Sequence, residues 1–194
     1  MKKLSLLLLL SGAVIFTYAQ KGHTNTEFGI KGGLNIANVS IENSTNPDSR
    51  VSGYFGGLAH IHLDKQFAIQ PELLFSGQGY KQTIAGTDYT TSLNYLLVPV
   101  LGQLMFGEGF RVETGPQAGV LVSAKSKVNG NSTDVKNNIK GFDFSWVFGL
   151  GYLTSTGFGV DARYNLGISN INDVSSDKVS NRVFAVGVFY QFRQ

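Results

Sequence analysis

His60 and His62 are the residues of this chain best suited to holding a metal ion. They stand two apart in β-type sequence, so both imidazoles face one side, and imidazole is a common ligand for divalent metals. No third ligand is near: Asp64 follows in a turn, and the remaining histidine, His23, falls in the N-terminal tail. The pair therefore reads as polar lining of an interior, with no metal and no cofactor expected. Serine, histidine and aspartate are all present, yet no nucleophile motif such as G-x-S-x-G occurs. The doublets Gly32-Gly33 and Gly56-Gly57 do not lead into helices, so they are not phosphate loops. There is no cysteine, which removes disulfides, thiolate metal sites and Cys nucleophiles together. The expectation is a protein that is not an enzyme.

The charged residues form a second candidate constellation. Lys31, Glu72, Arg111, Glu113, Asp143, Asp161 and Arg163 fall on the less apolar face of alternating segments. With His60 and His62 they could interlock as a polar network inside a barrel. The same groups could pass protons or ions. Salt-bridged packing is the favoured reading, because the interior of an eight-stranded barrel is just wide enough for side chains to fill.

The elements that would position these groups are strands. From Glu27 onward eight segments alternate with period two, which sends neighbouring residues to opposite faces. The last four are the clearest. Phe142, Phe144, Trp146, Phe148, Leu150 and Tyr152 oppose Asp143, Ser145, Val147, Gly149 and Gly151. Phe158, Val160, Ala162 and Tyr164 oppose Gly159, Asp161 and Arg163. Phe110 to Val120 and Phe184 to Phe192 repeat the pattern. The first four are read as Glu27–Val39, Val51–Leu63, Gln66–Tyr80 and Thr90–Phe106. Aromatic bulk on the apolar face exceeds what a small barrel holds inside, so that face is expected outward, against lipid. Pro71, Pro99 and Pro116 lie within these strands. Each removes a ladder donor, and bulges or rim positions are expected to absorb them.

The connections sort by side. Those after the second, fourth and sixth segments are tight: Asp64-Lys65, Gly107-Glu108-Gly109 and Ser155-Thr156-Gly157. Those after the first, third, fifth and seventh are longer and polar, which is the habit of an antiparallel barrel threaded through a membrane. The fold expected is therefore all-β: an eight-stranded, up-and-down, antiparallel transmembrane barrel. One long connection, Lys125 to Lys140, carries Lys125, Lys127, Lys136 and Lys140 against Asp134. Exposed outside a cell, it could meet lipopolysaccharide phosphates or another anionic partner. Asn43-Ser44-Thr45 and Asn131-Ser132-Thr133 match a glycosylation sequon but say little beyond polar loop.

Residues 1–19 read as a secretory leader: basic Lys2 and Lys3, apolar Leu4 to Phe16, then Thr17-Tyr18-Ala19 before cleavage at Gln20. The apolar run is shorter than the ~20 residues a spanning helix needs. Residues 20–26 form a tail and 27–194 the barrel domain. Setting aside Lys2 and Lys3 leaves 14 basic against 13 acidic residues, from totals of 16 and 13. That balance does not indicate nucleic-acid binding.

Phe67-Ala68-Ile69-Gln70-Pro71-Glu72-Leu73-Leu74-Phe75-Ser76, with Gly79 beyond, resembles the "QPELxYS…G" signature of a small outer-membrane β-barrel family, labelled porin-family or PorT-like, of Bacteroidota-type Gram-negative bacteria. Phe28 to Asn35 looks like that family's first strand, and Asn94 to Leu101 like its "YLEIPLL" segment, with Leu97 where the family has Glu. The resemblance implies an integral protein of the outer membrane with a structural, adhesion or secretion-accessory role. A narrow pore is the alternative, and an outer-membrane enzyme a second one. Partners so implied are outer-membrane lipids and lipopolysaccharide, the barrel assembly machinery, and envelope or secretion proteins. Gly187, Tyr190 and Phe192 have the spacing such machinery reads in a last strand, although Arg193 and Gln194 follow.

Overall fold

The computed structural model describes residues 26–42, 47–84, 86–128, 130–174 and 177–192. The leader, its cleavage point, His23 and the first sequon lie outside the described residues.

Alternating sequence becomes strand throughout. The elements are β1 (Thr26–Ile41), β2 (Asp48–His62), β3 (Phe67–Ile84), β4 (Thr87–Phe106), β5 (Phe110–Val128), β6 (Asn131–Asp134), β7 (Phe142–Leu153), β8 (Phe158–Gly167) and β9 (Val179–Phe192), with one 3-10 turn at Lys136–Asn138. Every paired neighbour is antiparallel. The ring runs β1-β2-β3-β4-β5-β7-β8-β9 and closes where β1 pairs with β9. Closure matters because a lipid-exposed strand edge would leave backbone groups unpaired. The short β6 stands outside the ring, paired to β5 alone among the described residues.

The apolar face points outward. Ile30, Leu34, Phe55, Leu73, Phe110, Leu150 and Val188 are all exposed, whereas Lys31, Glu72, Glu113 and Arg163 are buried. From Phe110 to Val122, at ~3.4 Å per residue and a tilt of ~40°, the wall spans about 30 Å, enough to cross a hydrocarbon core. Near the tight turns Phe28, Phe67, Phe106, Phe110, Phe158, Tyr190 and Phe192 are exposed around one rim. Several are directly paired, as in Phe106 with Phe110 and Phe28 with Phe192. This is an aromatic girdle of the kind that sits at a membrane interface. The lone tryptophan, Trp146, also faces outward, and its indole N–H donates to Thr114 Oγ1 at 2.8 Å. Thr114 in turn donates to the Val147 carbonyl at 3.0 Å, so neither group meets lipid unpaired.

Three expectations need correction. The prolines are absorbed without bulges. The β3–β4 ladder passes Pro71↔Val100 and resumes at Leu74↔Leu97 in unchanged register, and β4–β5 does the same from Pro99↔Gln117 to Gly102↔Thr114. Losing a donor interrupts the ladder locally, while flanking pairs on both sides hold the alignment. The third connection is not a long loop: β3 and β4 continue outward to Ile84↔Thr87 and turn around Gly86, whose φ of 78° suits glycine. Lys125 and Lys127 lie on β5, not in a loop, opposite Asp134 and Ser132 of β6. A register shift puts Tyr95 opposite Leu121 and Asn94 opposite Ser123, leaving Val122 as an extra residue. Strict alternation from Arg111 through Leu121 would have sent Lys125 and Lys127 inward; the bulge turns them out.

Candidate functional site

The barrel interior is built in three levels from inward-facing residues of different strands. At its middle is an ion cluster. Arg163 on β8 donates from both terminal nitrogens to the two carboxylate oxygens of Glu72 on β3, each at 2.7 Å. Its Nε bonds to Glu113 of β5 and lies 2.9 Å from Asp161. Lys31 on β1 bonds to Asp161 and lies 3.7 Å from Glu72. Gln70 and Gln103 donate to Glu72 and Glu113, both at 2.7 Å. All these charged side chains are at most 5% exposed. Burying such ions is expensive unless each is paired and hydrogen-bonded, and here every carboxylate meets a cation.

Space for the cluster comes from β7. A Cβ on Gly149 would stand 2.6 Å from Glu113 Oε1 and 3.0 Å from Arg163 Cγ. The glycine is there because two long charged side chains converge over it.

Toward the long connections the interior turns apolar. Val39, Leu74, Leu93, Tyr95, Leu97 and Leu121 form a buried cluster. Leu97, where the resembled family carries Glu, sits in this layer at 3% exposure. Ile171, from the β8–β9 connection, reaches into it and is 1% exposed. Its position is fixed by main chain: Ile171 N–H donates to Val179 O, and its carbonyl accepts from Lys140 N–H, both at 2.8 Å. Ile139 and Asn172 add a bridge between the same two connections. Toward the tight turns a smaller cluster holds Leu58, Leu153 and Phe189.

Of the nine polar residues singled out in sequence, five converge: Lys31, Glu72, Glu113, Asp161 and Arg163. His60 joins indirectly, its Nδ1 3.3 Å from Gln70 Oε1. Arg111 is also buried inside the barrel, with its guanidinium 5.5 Å from the Phe189 ring centroid. Asp143 belongs to a separate group, accepting from Asn181 Nδ2 at 2.8 Å and from Ser169. His62 is half-buried at the turn-side mouth, its ring edge-on to His60 at 4.4 Å. Among the described residues no three His, Cys, Asp or Glu side chains are placed to hold a metal. Alternation in the fifth and last segments puts Gln117 and Gln191 on the inward face, and the structure adds the buried amides Asn35, Gln70 and Gln103 from the less regular first half.

Of the four lysines, Lys136 does not stand free. Its Nζ donates to Val122 O at 3.0 Å, capping the carbonyl at the bulge. Lys125, Lys127 and Lys140 are exposed.

A closed ring with an apolar outer wall and an ionic interior is a membrane barrel, and comparison with known proteins gives the family. The family model "Outer membrane protein beta-barrel domain" matches residues 18–173. The chain belongs to that family. It is an integral outer-membrane β-barrel. Its fold is similar to the attachment invasion locus protein Ail of Yersinia pestis, at TM-score 0.51 and 15% identity, covering 86% of this chain and 98% of that one. It is also similar to Neisserial surface protein A, at TM-score 0.56 and 14% identity, covering 85% and 97%. At these identities the likeness speaks to fold alone. No curated protein matches this outer-membrane barrel.

Proposed function

We propose that this outer-membrane barrel is a packed, non-conducting structural and interaction protein, whose contacts are made by the strands and connections projecting beyond the apolar wall. The observation that carries the reading is the filled interior: an ion cluster with every carboxylate paired, roofed by an apolar layer that Ile171 seals. A conduit needs a continuous wetted path, and the roof interrupts one. The projecting side presents β6, the ends of β3, β4 and β5, and the lysines Lys125, Lys127 and Lys140, chemistry suited to phosphate groups of lipopolysaccharide or another anionic envelope partner. A PorT-like, secretion-accessory role in a Bacteroidota-type envelope is the finer form of this proposal. It includes export by the leader at residues 1–19 and insertion by barrel assembly machinery that reads Gly187, Tyr190 and Phe192.

Planar-bilayer recording of the refolded full-length mature barrel tests the core claim. The parent should leave the bilayer at baseline. Reproducible single-channel steps from the parent would reject the packed reading in favour of a narrow pore.

A further inference from the structure

The outer wall carries two dents that the packed interior does not explain, one on each side of β8. The larger is a cavity of about 460 Å³ bounded by Phe110, Leu150, Tyr152, Val160 and Ala162. The smaller, of about 280 Å³, is bounded by Ile30, Gly32, Phe158, Val188 and Tyr190. Each opens where a small outward residue stands between larger ones. Ala162 is paired with Leu150 and Val186, and Gly32 with Phe55 and Val188. The ridge between the dents is Phe158 and Val160, both exposed. Arg111 and Asp161 border the larger dent and Lys31 the smaller, but all three are buried in the barrel. What each dent offers outward is therefore apolar. Tyr152 pairs with Val160 on one flank of β8, and Tyr190 pairs with Phe158 on the other. Each dent thus has a tyrosine at its turn-side end, and the ring with its hydroxyl suits the depth where hydrocarbon meets polar headgroups.

We propose that the two dents hold the two acyl chains of one diacyl phospholipid, drawn from the leaflet that the tight turns face, with its glycerol crossing the ridge of β8 at the level of Tyr152 and Tyr190. β7 and β9 lie two strand spacings apart, ~10 Å, a gap that two chains joined at one glycerol bridge by splaying. Inside a membrane the hydrophobic effect does not separate protein wall from neighbouring lipid, so packing decides what stays. A chain in a dent is touched on several sides and a chain on an even wall on one, and dispersion grows with each contact. A second copy of the barrel fits poorly, because two convex walls meet along a line and do not reach into both dents together. The dents belong to the lipid-facing wall and not to the lumen, so this site stands or falls separately from conductance.

Native mass spectrometry of the full-length mature barrel, released from nanodiscs of phosphatidylethanolamine and phosphatidylglycerol, tests the site. At an activation that strips other lipid, the parent should keep one phospholipid. Prepared instead in detergent with lysophosphatidylethanolamine, it should keep two, one chain in each dent. Gly32→Leu fills the smaller dent from a position where an added Cβ comes no nearer than 3.4 Å to its neighbours, and Ala162→Phe fills the larger. Each should lower the retained diacyl fraction about tenfold, which corresponds to about 1.4 kcal/mol, with the compact band on an unheated gel unchanged. Ala118→Phe, between Val98 and Phe144 on the wall beyond both dents, should retain lipid as the parent does. No retained phospholipid on the parent, equal retention by both filled variants, or a lipid-free dimer overturns the assignment. Loss in one filled variant alone, or a single retained lysolipid, refutes the bridging phospholipid. The lysolipid count uses only the parent, so a substitution that folds poorly does not remove the test.

Discussion

Replacing Arg163 with methionine should weaken the barrel more than any single surface change. Arg163 supplies both bonds to Glu72, one to Glu113 and a 2.9 Å contact to Asp161. Without it Glu72, Glu113 and Asp161 all lose their guanidinium contact, while Lys31 still bonds Asp161 and lies 3.7 Å from Glu72. Methionine fills a similar volume, so the change removes charge and hydrogen bonds far more than packing. Deleting one partner of a buried ion pair costs about 3–5 kcal/mol, because the remaining charge is left uncompensated. That is a large share of the ~5–15 kcal/mol that holds a typical domain folded. The assay is equilibrium urea unfolding from lipid vesicles, followed by the fluorescence of the single tryptophan, Trp146. Trp146 stands on the outer wall and will report loss of contact with lipid. The midpoint should fall with the slope unchanged, which marks a stability effect rather than a new unfolded state. Arg182→Met, at an exposed position, serves as the control and should stay within about 0.5 kcal/mol of the parent. If Arg163→Met loses less than about 1 kcal/mol, the size of an exposed ion pair, the cluster is not desolvated and the packed interior is wrong.

The wall and the interior should respond oppositely to an added cation. Val186→Arg, paired between Leu34 and Ala162 on the outer wall, should cost about 2–4 kcal/mol in vesicle unfolding. Gly149→Arg, where even a Cβ meets Glu113 at 2.6 Å, should block refolding to the compact band on an unheated gel; equal tolerance at both sites would contradict the inside–outside assignment. On intact cells a protease site inserted after Gly130 should be cut from outside, while one at Glu108 should be cut only after the outer membrane is opened, and the reverse pattern would invert the topology. Lys125, Lys127 and Lys140 changed together to glutamine should leave unfolding within about 1 kcal/mol of the parent and weaken salt-sensitive retention on lipopolysaccharide, measured by vesicle co-sedimentation. Edman sequencing of the membrane-extracted protein should begin within a residue or two of Gln20; a retained Leu4–Phe16 run would replace the leader with an anchor.

Period-two alternation was enough to settle most of the architecture. A strand places side chains on opposite faces by backbone geometry alone, so Phe144 against Asp143, or Val160 against Asp161, declares its side wherever the strand sits. The sorting of short and long connections, together with bulky aromatics on the apolar face, then pointed to a membrane wall. Contacts between distant strands were not written in any local window. Arg163 and Glu72 are 91 positions apart, and which residues share a level depends on the stagger adopted when β1 closes on β9. One extra residue at Val122 reversed the direction of Lys125 and Lys127, an effect invisible until the partner strand is aligned. The seal made by Ile171 is likewise tertiary: an isoleucine within a polar connection becomes core only because the barrel beneath it has an apolar upper layer to receive it. Local alternation declares which side of each uninterrupted run faces lipid, because that is a steric property of the strand itself; ring closure decides which inward groups meet and where a bulge reverses the faces, because register is a property of pairs.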